Sequence, residues 1–370
     1  MVSFKSLGVT NQVIQGLEGL SIFKPTEIQV QSIPRLIKSP IDFIGVAHTG
    51  TGKTAAYSIP IIQSIDFTEP KIQALILCPT RELGKQIAKQ IFKLTKYTEK
   101  IYVEAVYGGE KIEAQISSLR RKTHILVATP GRLLDLQRRK AVDLRQLKTV
   151  VLDEADEMLS FGFKKDLDLI LEQTSRESST WLFSATMPKE IIQIINNYMD
   201  PGAVKVEANK GEKFNPDITH QYAICDQDQK IEALIFFLKS HKKDRGIIFC
   251  KTKRATKQLH DQLTAKNYQV GCIHGDLKQI ERNKVMRAFR GDKLKVLIAT
   301  DISARGIDVG NLAYVFHYQL PDQVEYYIHR SGRTARAGKK GVSILLIAPK
   351  EVKYMRLISK QLHIEFKQLQ

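Results

Sequence analysis

The chain has 370 residues, a length typical of two domains of ordinary size. Hydrophobic residues make up 43% of it, enough to form hydrophobic cores, but no apolar run is long enough to cross a membrane. The amino-terminus lacks the apolar stretch of a signal peptide. The four cysteines are far apart and form no Cys-x-x-Cys pair, so they predict reduced thiols and not disulfides or a zinc site. These features indicate a cytoplasmic protein without a membrane anchor.

The net charge of +18 favours a polyanionic partner. The excess is uneven: residues 1–206 carry 27 Lys/Arg against 22 Asp/Glu, a net +5, and residues 207–370 carry 30 against 17, a net +13. A basic surface can also serve only to keep a protein in solution. The charge therefore narrows the class of partner without identifying it.

Residues 1–38 predict two helices. In the first, residues 11–20, apolar side chains recur at helical spacing. Pro25 and Thr26 indicate the start of a second helix that continues to about Ile37. The spacing of Gln29 in that helix indicates nothing further.

A phosphate-binding loop organises the first half of the chain. An apolar strand predicted over residues 41–46 leads into a glycine-rich turn, and a helix is predicted over residues 55–65. In such a loop the glycines let backbone N–H groups face phosphate, Lys53 reaches the β- and γ-phosphates, and the Thr54 hydroxyl binds magnesium. The positive end of the helix faces the same oxygens. The loop consists of Ala47, His48, Thr49, Gly50, Thr51, Gly52, Lys53 and Thr54, with alanine where the first glycine is usual.

From this loop to about residue 206, short apolar runs alternate with helical segments. The runs cover residues 74–78, 125–128, 149–152 and 180–183. The alternation predicts a parallel sheet with crossover helices. Because ligands of such sheets bind at the carboxyl ends of the strands, the polar residues after each run are candidates for a site.

An acidic pair follows the third of these runs. Asp153 and Glu154 lie about a hundred residues after the phosphate loop. Nucleotide hydrolases hold magnesium and position the attacking water with such acids. We therefore predict that Asp153 holds magnesium through water and that Glu154 orients the attacking water. The alternative is an acid-rich helix start, since residues from Ala155 onward predict a helix.

Residues 207–217 are polar and contain Gly211 and Pro216, so they predict a linker between domains of residues 1–206 and 218–370. In the second domain, strands are predicted over residues 246–250, 270–273, 295–299, 313–318 and 342–347. This half has no Gly-Lys-Thr loop and cannot hold nucleotide phosphates unaided. The tail after Ile347 predicts one helix.

A basic segment lies near the end of the chain. Arg330, Arg333 and Arg336 recur every three residues, so on a helix they would share one face. Guanidinium groups there suit a triphosphate approached from a second domain. The alternatives are a solvated basic helix and a patch for an RNA backbone.

In this order the segments resemble those of the DEAD-box ATP-dependent RNA helicases, and the resemblance covers almost the whole chain. The matching segments are Phe4 with residues 24–29, then 47–54, 79–83, 108–109, 129–132, 153–156, 184–186, 247–250, Gln279 with Arg282, 299–308 and 329–338. The family commonly has alanine at the position of Ala47. The departures are Gly84, Ser303, Ser331 and Ala335, and none removes a charge or donor that the mechanism needs. The resemblance implies two tandem RecA-like α/β domains, each a parallel sheet with helices on both faces.

The resemblance also implies roles for individual residues. Gln29, in an adenine-reading region of residues 1–38, would select ATP over GTP, Phe4 would contact the base, and Asp308 would lie near the ribose. The implied ATP- and magnesium-binding positions are Phe4, Lys24, Thr26, Gln29, the eight residues of the loop, Asp153, Gly306 and Asp308. The implied catalytic positions are Lys53, Asp153, Glu154, His329, Arg333 and Arg336. Ser184 and Thr186 are implied as coupling residues, with His329 as the link to their segment. The implied RNA-binding positions are Arg81, Gly109, Thr129 and Arg132 in one domain and Thr252, Gln279, Arg282 and Thr300 in the other.

The activity implied is ATP hydrolysis stimulated by single-stranded or duplex RNA and coupled to closure of the two domains, which unwinds short duplexes or remodels ribonucleoproteins. We expect a monomer that binds RNA mainly through its backbone. The compact length resembles bacterial members, which act in ribosome assembly, on precursors of the ribosomal subunits, and in RNA decay. An ATP-gated RNA clamp remains an alternative, and a DNA helicase or translocase is disfavoured by Gln29 and the Asp-Glu-Ala-Asp segment.

Overall fold

The structure, a computed structural model, describes residues 2–48, 50–175, 177–208, 215–304, 312–335 and 339–369. The chain divides into two compact units, Met1–Lys210 and Gly211–Gln370. In the described ranges, no helix combines the length and the apolar character needed to cross a membrane.

The first unit alternates strands and helices after two amino-terminal helices. Its elements are α1 (Asn11–Glu18), α2 (Glu27–Lys38), β1 (Phe43–Val46), α3 (Lys53–Ser64), β2 (Ala74–Leu77), α4 (Arg81–Leu94), β3 (Val103–Val106), α5 (Ile112–Leu119), β4 (Ile125–Ala128), α6 (Pro130–Arg138), β5 (Thr149–Asp153), α7 (Ala155–Ser160), α8 (Lys164–Leu171), β6 (Ser179–Ser184), α9 (Lys189–Tyr198) and β7 (Val204–Glu207). A 3-10 helix, Lys5–Leu7, precedes α1.

The strands of the first unit form one parallel sheet in the order β3-β4-β2-β5-β6-β1-β7. Val46 at the end of β1 is in register with Ser184 at the end of β6, and Asp153 at the end of β5 is in register with Phe183. The phosphate loop and the acidic pair therefore follow the two strands that flank β6, β1 and β5, at the same edge of the sheet.

Helices cover both faces of this sheet. Helices α1 through α4 pack against one face and form the first hydrophobic core with it. Helices α6 through α9 pack against the other face and form the second core. Successive residues of β6 alternate between the cores, with Trp181 and Phe183 in the first and Leu182 in the second. Strands buried on both sides are continuous apolar runs, which is why the inner strands were predictable from sequence.

The second unit repeats this architecture. Its elements are β8 (Ile218–Ile224), α10 (Lys230–Ser240), β9 (Gly246–Phe249), α11 (Lys253–Ala265), β10 (Val270–Ile273), α12 (Gln279–Arg290), β11 (Val296–Ala299), α13 (Asp301–Ala304), β12 (Tyr314–His317), α14 (Val324–Ser331), β13 (Gly341–Ile347), α15 (Val352–Leu362) and β14 (Phe366–Gln368). The sheet is parallel, in the order β10-β11-β9-β12-β13-β8-β14. Two parallel sheets of seven described strands, each with helices, confirm the predicted tandem RecA-like α/β fold.

The strands that the sequence pattern did not predict lie at the sheet edges or next to them. They are β3 and β7 in the first unit and β8 and β14 in the second. Edge strands face solvent on one side, so β7 (Val-Lys-Val-Glu) mixes charged with apolar residues and gives no apolar run. The predicted helix over residues 55–65 begins two residues earlier, at Lys53.

The prediction of a single helix for the tail is wrong. Helix α15 ends at Leu362, and His363 follows with a positive φ of 53° in the left-handed region. The chain then forms β14, which pairs with β8. Phe366 packs against the rings of His220 and Tyr327, so contact with the sheet outweighs continuation of the helix.

Candidate active site and nucleic-acid interface

The phosphate loop has the backbone geometry of an anion site. Gly50 and Gly52 have φ of 85° and 88°, a region that glycine enters without strain. Lys53 is 6% exposed, and its Nζ donates a hydrogen bond of 2.7 Å to the carbonyl of Ala47. Thr51 Oγ1 donates to the carbonyl of His48 at 2.7 Å. The lysine ammonium is thus bonded to the first residue of the loop. Thr49 lies outside the described residues.

Gln29 connects helix α2 to this loop. Its Oε1 accepts a 3.0 Å hydrogen bond from the N–H of Thr26, and its Nε2 donates one of 3.0 Å to the carbonyl of Gly52. A Cβ at position 52 would lie 2.3 Å from Gln29 Nε2, so only glycine permits this approach. The glutamine is 2% exposed. The Gln29 side chain therefore connects the start of α2 directly to the phosphate loop.

The other residues that the resemblance implies at the adenine are Lys24, Thr26 and Phe4. Lys24 and Thr26 are exposed at the start of α2. Phe4 is 4% exposed and belongs to the core of the first unit, and its carbonyl accepts hydrogen bonds from the N–H groups of Leu7 and Val9. Its role at the base stays a prediction.

The acidic pair lies at the end of β5. Asp153 is 2% exposed, and its Oδ2 accepts a 2.8 Å hydrogen bond from the Tyr57 hydroxyl. Burial, and then the charge of Glu154, raise the pKa of Asp153 to about 6, while Lys53 and Tyr57 oppose the rise. A positive charge beside this carboxylate would therefore be favourable, because it would oppose the effects of burial and of Glu154.

Glu154 marks the transition from strand to helix. Its φ of 51° and ψ of 51° put it in the left-handed region, immediately before α7. Its Oε2 is buried, and no donor in the described part of the chain bonds to it. A buried carboxylate oxygen without a donor favours a water or ligand hydrogen there.

A hydrogen-bonded cluster joins the acidic segment to the end of β6. Asp156 Oδ2 accepts from both the N–H and the hydroxyl of Thr186, at 2.9 and 2.7 Å. Ser184 Oγ accepts from the N–H of Asp156 at 3.3 Å, and the Ser184 carbonyl accepts from the N–H of Ala47 at 3.0 Å. The two coupling residues predicted from sequence thus connect the acidic helix to the phosphate loop.

Tyr57 and Asp156 were given no role in the sequence analysis. Tyr57 lies four residues after Lys53, one helical turn along the same face, and this spacing was an available signal. Asp156 belongs to the Asp-Glu-Ala-Asp segment, but its partner Thr186 is 30 residues away in sequence. Only the fold identifies that partner.

A basic cluster follows β2 and β3. Arg81 Nη2 lies 2.7 Å from Glu110 Oε1, and Lys85 Nζ lies 3.4 Å from the same oxygen. Both cations lie over the Tyr107 ring, at 4.8 and 4.9 Å from its centre. Burial alone would raise the pKa of Glu110, but the charges of Arg81 and Lys85 together lower it. The exposed Glu110 carboxylate thus occupies the place beside the Arg81 guanidinium that another anion would take.

The other implied RNA-binding positions of the first unit adjoin this cluster. Arg132 Nη2 donates to the carbonyl of Glu110 at 3.0 Å, and its Nη1 donates to Gln115 Oε1 at 2.8 Å. Gly109 has a φ of 82°, and its carbonyl accepts from Arg81 at 3.4 Å. Thr129 precedes α6 and is nearly buried. Arg81, Gly109 and Arg132 are thus brought together around Glu110, while Thr129 lies beneath this surface.

In the second unit, the implied RNA-binding residues lie at helix starts. Thr252 Oγ1 caps α11 by accepting from the N–H of Ala255 at 3.1 Å. Gln279 begins α12, and Arg282 one turn later donates to the carbonyl of Ser303 at 2.8 Å. Ser303 Oγ accepts from the N–H of Thr300 at 2.9 Å and donates to the carbonyl of Ile273 at 2.7 Å. Serine at this position, unusual for the family, therefore holds Thr300.

The arginine-rich segment does not continue as one helix, so the single helical face considered for its three arginines is not formed. Helix α14 ends at Ser331, and Arg333 follows it with Nε donating to the carbonyl of His329 at 3.3 Å. Arg330 is 1% exposed and makes a bidentate ion pair with Asp301, at 2.5 and 2.7 Å. Arg330 is thus committed to the core of its own unit. Gly306, Asp308 and Arg336 lie outside the described residues.

The geometry defines a class of protein. A phosphate loop, an acidic pair and a basic surface around the Tyr107 ring all follow strands at one edge of the first sheet, as in a nucleotide hydrolase that also contacts nucleic acid. Two family models match the chain: DEAD/DEAH box helicase over residues 26–194 and helicase conserved C-terminal domain over residues 229–338.

Known proteins narrow the class. The ATP-dependent RNA helicase CshA of Limosilactobacillus reuteri is 40% identical over 361 residues, which are 97% of this chain and 72% of the relative. Among solved structures, S. cerevisiae Dbp5 bound to RNA and ADP BeF3 has a TM-score of 0.91 and 31% identity, covering 99% of this chain and 95% of that one. Mss116p bound to ssRNA and AMP-PNP has a TM-score of 0.89 and 28% identity, covering 100% and 80%.

The chain belongs to the DEAD-box ATP-dependent RNA helicases. Its activity is accordingly that of an RNA-dependent ATPase and helicase, which confirms the class expected from its motifs.

Proposed function

We propose that ATP binds at the carboxyl edge of the first sheet, with its phosphates in the loop of residues 47–54. The observation that carries this proposal is the buried Lys53 ammonium, held on the Ala47 carbonyl beside the buried Asp153. The phosphates would replace that carbonyl as the partner of Lys53. Gln29, with Lys24, Thr26 and Phe4, would read the adenine, and the bonds from Gln29 to Thr26 and Gly52 would report base binding to the loop.

Magnesium fits the residues on this edge. The Thr54 hydroxyl and the Asp153 carboxylate are hard oxygen donors, the kind that magnesium prefers. A cation near Asp153 would also relieve the burial and the repulsion from Glu154 that raise its pKa. Bound magnesium would neutralise charge on the phosphate oxygens.

Glu154 would orient the attacking water and accept its proton. Its buried Oε2, without a donor among the described residues, supports this role because a water hydrogen would satisfy it. The left-handed backbone at Glu154 turns the chain from β5 into α7.

We assign residues 1–206 to the ATP-binding domain, 207–217 to a linker and 218–370 to the second helicase domain. The second domain would supply Arg333 and Arg336 to the γ-phosphate and His329 to the segment of Ser184 and Thr186. Catalysis would then require the two domains to close. ATP and single-stranded RNA would each favour closure and hence each other's binding. Arg336→Ala is expected to abolish RNA-stimulated turnover, measured by phosphate release, while leaving ATP binding largely intact.

RNA would bind through its backbone. The contacts would be made by the four positions around the Arg81 cluster and by Thr252, Gln279, Arg282 and Thr300. Because phosphate contacts dominate, affinity should fall steeply with salt and depend little on sequence. Contacts to the 2′-OH would separate RNA from DNA.

The cellular setting would be the cytoplasm of a bacterial-type cell, with the protein acting as a monomer on ribosomal-subunit precursors or on RNA undergoing decay. The free cysteines support a reducing compartment. An ATP-gated clamp, which holds RNA in a larger assembly without unwinding, uses the same residues.

The first experiment is the rate of ATP hydrolysis with and without single-stranded RNA, for the parent, Glu154→Gln and the exposed control Glu190→Gln. We expect RNA to raise the rate of the parent and the control several-fold. The Glu154 variant should lose about 100-fold or more, the usual contribution of a general base, while still binding ATP. A Glu154 variant within a few-fold of the parent would contradict its role. Displacement of a short RNA duplex then separates a helicase from a clamp.

A further inference from the structure

A groove in the first unit lies apart from the residues discussed so far. It has a volume of about 710 Å³ and is formed by the end of α1, the end of α4 and the segment that leads into β3. Close contact between two helices forms its base: a Cβ at Gly16 of α1 would lie 2.4 Å from the carbonyl oxygen of Leu94, so only glycine allows it.

The groove displays aromatic side chains. Phe92 is 72% exposed and Tyr97 is 46% exposed, which is far more than large apolar side chains usually show. Tyr102 is half-buried beside them. Three rings along one groove provide flat apolar surfaces that the fold itself does not cover.

Lysines accompany these rings. Lys96 Nζ lies 5.1 Å from the centre of the Tyr97 ring, and Lys100 Nζ lies 5.1 Å from the centre of the Tyr102 ring. Lys93 completes the set, and no acidic residue lines the groove. In the portion of the chain that the structure describes, no ion pair involves any of the three lysines. Their charges are therefore available to an anionic ligand.

The groove is distant from the proposed RNA-binding residues. Helix α4 begins with Arg81 and reaches the groove at its other end. Its 14 residues span about 20 Å at 1.5 Å per residue. The groove also meets β3 at its amino end, whereas Tyr107 and Glu110 follow its carboxyl end. The two surfaces therefore lie at opposite ends of β3.

We propose that this groove is a second binding site for single-stranded RNA. The bases would stack on Phe92, Tyr97 and Tyr102, and the phosphates would pair with Lys93, Lys96 and Lys100. Aromatic platforms beside positive charge are the means by which proteins bind single strands with little sequence preference. An acidic peptide would use the lysines but would not require three exposed rings, so the observations favour RNA. Such a site would hold one part of a long RNA while another part is bound at the surface around Arg81.

The test uses the full chain and two groove variants, Phe92→Ala/Tyr97→Ala and Lys93→Gln/Lys96→Gln/Lys100→Gln. Matched controls are Phe67→Ala, which removes another exposed ring, and Lys38→Gln/Lys140→Gln/Lys205→Gln, which lowers the net charge equally. Fluorescence anisotropy without nucleotide measures affinity for an oligouridine of about 30 nucleotides, long enough for two sites. Photo-crosslinking of 4-thiouridine RNA, followed by peptide mapping, locates the contact.

Each groove variant should weaken binding of the long RNA about fivefold or more relative to its control, because one stacked base is usually worth at least that. Crosslinks should map to residues 92–102. ATP hydrolysis by the groove variants at saturating short RNA should be unchanged. A fall in that rate would instead reveal a defect at the RNA-binding residues of the proposed function. The proposal is overturned if the ring variant binds like Phe67→Ala, since the groove would then attract RNA by charge alone or serve an acidic peptide. It is overturned equally if no crosslink falls in residues 92–102.

Discussion

The hydroxyl of Tyr57 donates a 2.8 Å hydrogen bond to Asp153 Oδ2, and both side chains are buried. Tyr57 lies on α3, the helix that begins with Lys53, and Asp153 ends β5. The helix of the phosphate loop therefore holds the acid proposed to bind magnesium. A buried tyrosine outside the phosphate loop thus positions that carboxylate.

Tyr57→Phe should reduce ATP hydrolysis about tenfold or more, since a hydrogen bond to a charged group contributes roughly 1.5–3 kcal/mol. The magnesium concentration for half-maximal hydrolysis should rise, because the carboxylate is no longer oriented. Tyr268→Phe, packed against a core of the second unit and outside both proposed sites, is the control. An unchanged magnesium dependence would show that Tyr57 has no part in positioning Asp153.

Thr186→Val should destabilise the first unit by about 1–3 kcal/mol, because the buried Asp156 carboxylate loses the 2.7 Å bond from the threonine hydroxyl. Trp181, the one tryptophan of the chain, lies in β6 of this unit, so its fluorescence during denaturation by urea reports the loss. Thr68→Val removes a similar bond to Asp66, of 2.6 Å, at an exposed site. That control should cost less than about 0.5 kcal/mol. Equal losses in the two variants would contradict a special role for burial.

Glu110→Gln should increase affinity for RNA about three- to tenfold. The Glu110 carboxylate pairs with Arg81 and Lys85, and an RNA phosphate that binds these cations must displace it. The logarithmic slope of affinity against salt should also become steeper, since more cations contact phosphate. Anisotropy at several salt concentrations measures both. The control Glu69→Gln removes an exposed carboxylate 3.9 Å from Lys71; a similar gain there would show a bulk charge effect.

Stability of the second unit should fall below pH 6.5 through His220. Burial lowers the pKa of His220 to about 4, and its Nδ1 lies 2.6 Å from the Tyr327 hydroxyl. The nearby His317, stacked on Tyr327, also has a pKa lowered by burial and then by Arg330. Above pH 6.5 His220 is neutral in both the folded and the unfolded state, whereas at pH 5 only the unfolded state binds a proton there. Linkage then gives a loss of about 2 kcal/mol for His220.

Differential scanning calorimetry of the parent and His220→Gln at pH 7 and pH 5 tests whether stability falls on acidification because of His220. The variant should be less stable at pH 7, because it loses the bond to Tyr327, and the difference should shrink by about 2 kcal/mol at pH 5. A difference independent of pH would mean that His220 does not titrate on unfolding.

The strand-end motifs were predictable because their chemistry is local. The inner strands are continuous apolar runs, so the residues that follow them, such as Lys53 and Asp153, could be assigned to one edge of a parallel sheet. The edge strands β3, β7 and β14 and the true end of α15 were not predictable, since their apolar contacts come from distant residues.

The sequence by itself determined the fold class, the order of the motifs and the chemistry of the phosphate loop. Only the tertiary structure decided which side chain each motif contacts: Tyr57 with Asp153, Thr186 with Asp156, Glu110 with Arg81 and Asp301 with Arg330. Motif spacing follows from the geometry of a single helix or strand end. A contact between separate elements depends on sheet order and register, which bring residues 29 to 96 positions apart within hydrogen-bonding distance.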